Sequence, residues 1–165
     1  MTAARKFLVV YYSRTGNTAR VARAVATRLK ADVEQIGDKT DRHGLLGYLR
    51  AAFEARRAIA AEISPPMTDP AEYAVTIIGS PVWAWNIAPA VRAYLQSNRG
   101  RLRAMACFVT SGDTDAARVV PEMERVAQLP ALALTGLNAR ELRDAAACEG
   151  KLDAFVSALQ RAATT

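Results

Sequence analysis

Ser13-Arg14-Thr15-Gly16-Asn17-Thr18 gathers hydroxyls, a carboxamide, a guanidinium and a glycine into one short stretch. Before it, Phe7–Tyr12 is an unbroken apolar and aromatic run, the composition of a strand buried on both faces. After it, Thr18, Val21, Ala22, Val25 and Leu29 recur at helical spacing. A buried strand therefore delivers the chain into a polar loop that opens a helix. The first amides of a helix have no partners within it, and the helix dipole favours negative charge in front of them. Ser13, Thr15, Thr18 and Asn17 add side-chain donors, and Gly16 lets the backbone come close. A phosphate monoester suits such a loop, since each hydrogen bond to a charged group contributes roughly 1.5–3 kcal/mol. Hydroxyls also cap helices, so a plain strand-to-helix turn is the competing reading. The sequence contains neither GxxxxGK[ST] nor GxGxxG, which removes the P-loop and the dinucleotide fingerprint.

A second chemical stretch follows the apolar segment Tyr73–Gly79: Ser80-Pro81-Val82-Trp83-Ala84-Trp85-Asn86. Both tryptophans of the chain lie there, in what reads as a loop beyond a strand's carboxyl end. Open α/β sheets bind ligands at that end. A planar aromatic ligand gives the rings a role, because offset stacking adds roughly 0.5–1.5 kcal/mol beyond burial. Covering the sheet's end or a subunit contact is the alternative. A third stretch, Ser111-Gly112-Asp113-Thr114-Asp115, follows the apolar run Ala104–Thr110. Its polar groups suit the edge of a heterocycle, and its aspartates equally suit helix capping.

Tyr12–Thr18 resembles the phosphate-binding loop of the flavodoxin family, (S/T)-x-T-G-x-T, and the other two stretches resemble that family's remaining flavin-contacting loops. The resemblance covers nearly the whole chain. It implies non-covalently bound FMN. Phosphate would sit on Ser13, Arg14, Thr15, Gly16, Asn17 and Thr18. The isoalloxazine ring would lie against Pro81, Val82, Trp83, Ala84, Trp85 and Asn86, with its polar edge at Ser111, Gly112, Asp113 and Thr114. In the family a peptide of the ring loop turns toward the flavin when the ring is reduced, and glycine eases the turn; Ala84 and its neighbours are not glycine. The resemblance implies an electron carrier working with a redox partner protein. The alternatives are an NAD(P)H-dependent FMN or quinone reductase with a small acceptor, and a non-flavin protein-binding module of the same fold.

The elements that must position these loops alternate along the chain. Ala31–Ile36 reads as a strand at an edge, with one face covered. Residues 45–61 read as a helix apolar over much of its surface, as a lid beside the ligand, a dimer contact or a helix packed on the sheet. Pro65, Pro66 and Pro70 end that region. Pro89 starts a helix to Ser97, Val119–Leu129 reads as another, Leu132–Leu137 as the last strand, and Lys151–Ala162 as a closing helix. Residues 138–149 are polar and mixed. The alternation predicts one α/β domain over residues 1–165, a three-layer, doubly wound, five-stranded parallel sheet, and the resemblance implies the flavodoxin-like order 2-1-3-4-5.

Composition bounds the rest. The chain has 165 residues, 51% of them hydrophobic, which supports a substantial core. No apolar run is long enough to span a membrane, and the N-terminus runs directly into the first strand, so a cytoplasmic protein without a membrane contact is expected. Cys107 and Cys148 read as inert thiols, and a single histidine, His43, leaves no histidine-rich metal site. No general acid or base stands out, although Tyr11, Tyr12 and His43 are available. The net charge of +6 is carried by arginines scattered along helices, without a dense basic run, so no nucleic acid is expected. The positive charge instead favours steering toward an acidic partner or an anionic substrate. A phospho-acceptor domain would need aspartates where the first and third strands end, and those positions hold Tyr12-Ser13 and Gly79-Ser80.

Overall fold

Leu8 and Val10 pack into one layer of side chains while Val9 and Tyr11 pack into the other, so strand β1 (Phe7–Tyr11) is buried on both faces. The structure, a computed structural model, describes residues 6–39, 44–113 and 118–164, apart from the side chain of Tyr48. The elements that follow β1 are α1 (Asn17–Leu29), β2 (Asp32–Gln35), α2 (Gly44–Arg56), β3 (Val75–Trp83), β4 (Asn86–Ile87) and α3 (Pro89–Ser97). The chain continues with β5 (Met105–Ser111), α4 (Val120–Ala127), β6 (Ala131–Asn138), α5 (Ala139–Arg143) and α6 (Ala145–Ala162).

The parallel strands lie in the order β2-β1-β3-β5-β6, and the short β4 pairs antiparallel with β3. With β4 set aside this is the expected order 2-1-3-4-5. Helices α1 and α6 cover one face of the sheet, over Val9, Ile77, Ala106 and Phe108. Helices α3 and α4 cover the other, over Leu8, Val10, Ile78, Cys107 and Val109. Gly79 sits opposite Phe108 in the central strand pair. A Cβ on Gly79 would run into the Phe108 ring, so only glycine leaves that ring its place.

Four elements differ from the sequence reading. Strand β3 does not stop at Gly79 but runs on through Ser80-Pro81-Val82-Trp83, and β4 turns back beside it. Pro81 is tolerated there because β1 pairs with β3 only as far as Gly79; beyond it one side of β3 is open, and a missing N–H costs little. The expected tryptophan loop is therefore a hairpin. Helix α2 ends at Arg56, short of Ala61, and Ala58 in the left-handed region (φ 57°) turns the chain away. Its leucines and phenylalanine face outward; the residues turned inward are Gly47, Ala51 and Ala55. Residues 138–149 are largely helical. Asn138 accepts hydrogen bonds from the Arg140 and Glu141 amides, while Glu141 accepts one from the Asn138 amide, a capping box that starts α5. Asp144 then caps α6, which begins six residues before Lys151.

Candidate functional site

Three loops meet where β1, β3 and β5 end. Residues 12–16 carry the chain from β1 into α1, and Gly16 stands at the N-cap with φ 95°. Glycine adopts that backbone without strain. The Gly16 amide donates to Ser13 Oγ at 3.2 Å, closing the loop. The first turn of α1 holds no acidic residue, so its open amides and dipole are not countered there. Thr15 and Asn17 are exposed at the tip, while Thr18 is buried. Thr18 Oγ1 lies 2.8 Å from Thr110 Oγ1 near the end of β5. That contact joins the first loop to the base of the third.

The β3–β4 hairpin forms the second side. Trp83 pairs with Asn86, leaving a two-residue turn of Ala84 (φ 47°) and Trp85 (φ 60°). Positive φ at both central residues is the pattern of a type I′ turn, which normally recruits asparagine and glycine. The hairpin is pinned at its base. The buried Ser80 Oγ accepts the Ala88 amide at 3.1 Å and donates to the Pro81 carbonyl. Asn86 Oδ1 accepts the Ile87 amide at 2.8 Å and Arg92 NH2 at 3.0 Å. Arg92 is 1% exposed, and its NH1 reaches Glu122 Oε1 at 2.6 Å. Hydrogen bonds from Arg125 first, and from Arg92 next, hold the Glu122 carboxyl down to about 2, against the opposing effect of its partial burial. The Trp83 and Tyr12 rings meet in a T-shaped arrangement, with centroids 5.5 Å apart and planes at 90°.

A cleft of about 210 Å³ lies between the loops. It is lined by Arg14, Thr15, Asn17 and Thr18 from the first, Pro81, Val82 and Trp83 from the second, and Ser111 and Gly112 from the third. Thr110 and Ala139 complete the wall. Of the other expected residues, Ser13 and Gly16 shape the first loop behind the wall. Ala84 and Trp85 occupy the hairpin tip, where Trp85 is 71% exposed, and Asn86 turns its carboxamide toward Arg92. Asp113 is exposed beyond Gly112. Thr114, Asp115 and His43 lie outside the described residues. Sequence reading missed Thr110, which looked like an ordinary strand residue, and Ala139, whose helix start was signalled by Asn138 and Glu141.

The wall offers hydroxyls, amides, one guanidinium and an indole, and no carboxylate among the described lining residues. Those donors suit a phosphate at the first loop and a flat heterocycle at Trp83. Among the described residues no group of three or more histidine, cysteine or acidic side chains is placed to hold a metal.

The family model described as flavodoxin matches residues 6–156. The chain belongs to the flavodoxin family. The chain is similar in fold to a flavoprotein from Lactobacillus acidophilus NCFM solved in complex with FMN, at 22% identity and a TM-score of 0.68, over 82% of this chain and 93% of that one. It is also similar to the flavodoxin, WrbA-like protein from Agrobacterium tumefaciens, at 13% identity and a TM-score of 0.62, over 96% and 97% of the two chains. A third likeness is to rubredoxin oxygen:oxidoreductase from Desulfovibrio gigas, at 16% identity and a TM-score of 0.63, over 96% of this chain and 36% of that one. No curated protein matches this sequence. Among its described residues no helix is long and apolar enough to cross a membrane.

Proposed function

We propose that this protein binds FMN in the three-loop cleft and passes electrons between a redox partner protein and an acceptor. The observation that carries the reading is the meeting of the α1 N-terminus, Trp83 and Ser111-Gly112 around one cleft. The FMN phosphate would take the open amides of α1 with the hydroxyls of Ser13 and Thr15 and the carboxamide of Asn17. Thr18 would act from behind, through Thr110. Pro81, Val82 and Trp83 would hold one side of the ring and exclude water there, with Ala84, Trp85 and Asn86 setting the shape of the hairpin. Ser111, Gly112, Asp113 and Thr114 would meet the polar edge of the ring. The bound flavin supplies the redox chemistry; the protein binds, orients and shields it. The apolar side formed by Pro81, Val82 and Trp83 would disfavour an anionic reduced form. A cytoplasmic location, with Cys107 and Cys148 unpaired, goes with this reading.

A second reading, an NAD(P)H-dependent reductase of quinones or other small acceptors, is favoured by the same cleft. Its wall holds Arg14 and no carboxylate among the described residues, which suits an anionic nicotinamide as hydride donor. One experiment separates these readings. The purified protein is mixed with FMN, desalted, and its visible spectrum is taken before and after anaerobic addition of NADPH. A retained flavin band supports the cleft assignment. Bleaching by NADPH identifies a reductase, and an unchanged spectrum a carrier that needs a reductase protein. Loss of all flavin on desalting, even after excess FMN, would overturn both readings and leave a protein-binding module of this fold.

A further inference from the structure

Helix α2 is built inside out. Its small residues face the body of the protein: Ala51 and Ala55 are 1% and 0% exposed, and Gly47 is buried with them. Its large apolar residues face away: Leu45 is 75% exposed, Leu46 82%, Leu49 55% and Phe53 54%. At 3.6 residues per turn these four, together with Arg50, Arg56 and Arg57, fall within an arc of roughly 140°. The acid of this helix, Glu54, is turned inward and accepts Arg50 Nε at 2.8 Å. Arg57 lies over the Phe53 ring, 4.8 Å from its centroid, so guanidinium and apolar groups are interleaved on one surface. The helix packs on α3, β3 and β4 through its other side.

We infer that the outer face of α2 lies on an anionic phospholipid surface, holding the protein at a membrane without crossing it. A helix with leucine and phenylalanine on one side and arginines among and beside them is the composition of an interfacial helix. The chain's net charge of +6 matches a negative leaflet. The side chains protrude rather than form a groove, and lipid accepts protruding groups without a complementary shape. A second copy would bring the same three arginines face to face, and each chain carries the same +6. This contact does not depend on flavin binding, so it stands or falls separately from the function proposed above.

The test is flotation of the full chain with vesicles of phosphatidylglycerol and phosphatidylcholine in equal parts, against phosphatidylcholine alone. Binding is expected on the anionic vesicles and is expected to fall at least tenfold at about 0.5 M salt. Each arginine near such a surface contributes roughly fivefold, so Arg50→Gln with Arg56→Gln and Arg57→Gln should weaken binding on the order of a hundredfold. Leu46→Ser with Phe53→Ser should weaken it at least tenfold. All are exposed positions, and thermal melts check that both variants fold; if the apolar variant melts early, the arginine variant carries the test. The inference is overturned by a failure to float with anionic vesicles, or by equal binding of the variants. A concentration-dependent dimer in sedimentation that Leu46→Ser with Phe53→Ser dissociates overturns it as well, since a second copy would then cover the face.

Discussion

Thr18 and Thr110 share a 2.8 Å hydrogen bond in the buried wall of the cleft, although they stand 92 residues apart in the chain. One belongs to the first turn of α1 and the other to β5. Replacing Thr110 with valine keeps the shape and strands the Thr18 hydroxyl without that partner. A buried unsatisfied hydroxyl costs about 1–3 kcal/mol. Thr110→Val is expected to lose about 1–2 kcal/mol in urea unfolding and to weaken FMN several-fold in a fluorescence titration.

Thr15 is different, because it is exposed at the loop tip and lines the cleft. Thr15→Val should leave the melting temperature unchanged and weaken FMN at least tenfold, a loss of at least about 1.4 kcal/mol, close to the lower end for a hydrogen bond to a charged group. Riboflavin, which lacks the phosphate, should bind the variant and the parent alike. Equal FMN affinity in the two proteins would refute the phosphate assignment.

Glu122 joins the exposed Arg125 to the buried Arg92. Glu122→Gln leaves Arg92 without its counter-charge and is expected to destabilise the fold by about 3 kcal/mol. The pH dependence has a definite sign. The Glu122 carboxyl sits near 2 in the folded protein against an ordinary 4.5, so its stabilisation is fully present above 4.5 and is lost as pH falls toward 2. Denaturant midpoints between pH 5 and 2, ranges set by that shift, should fall more steeply for the parent than for the glutamine variant.

The hairpin tip carries two non-glycine residues at positive φ. Each left-handed residue of this kind costs roughly 1–2 kcal/mol. Trp85→Gly is expected to stabilise the protein by up to about 1 kcal/mol, partly offset by the entropy of glycine. Flavin quenching should survive, since Trp85 is 71% exposed and Trp83 is the indole in the cleft wall. Trp83→Leu should abolish most of the quenching instead.

Gly79→Ala is a packing test. The added methyl collides with the Phe108 ring between β3 and β5. Overpacking of this kind costs about 1–3 kcal/mol, read as an earlier thermal midpoint. Phe108→Leu in the same chain should restore part of it by making room.

The first loop is legible in the sequence, because a fully apolar strand, a loop of hydroxyls and a helix with regular apolar spacing each follow from local chemistry; the order of the parallel strands is a long-range property and comes from the family resemblance. Cleft residues Arg14, Thr15 and Asn17 come from that stretch. The hairpin is not legible. Neither Ala84 nor Trp85 is turn chemistry, and Pro81 argues against a continuing strand until the end of β1 is known to leave one side open. Periodicity groups Leu46, Leu49 and Phe53 on one face of α2 but cannot say whether that face looks inward or outward. The repeat Gly47, Ala51, Ala55 at intervals of four was the available sign that the small side packs. Helix α5 was signalled by Asn138-Ala139-Arg140-Glu141, a capping pattern hidden among charged residues.

Phe7 pairs with Val75, and the cleft lies at the far end of that same strand pair. Everything from α1 to α2 lies between the two partners in sequence and must be looped out before they can zip together. Contacts so distant in the chain are entropically late and slow to form. The cleft walls therefore cannot exist in an early, locally collapsed chain. Ligand capture would report complete folding, and an excess of cofactor in a refolding mixture would slow unfolding without hastening the first assembly of the sheet.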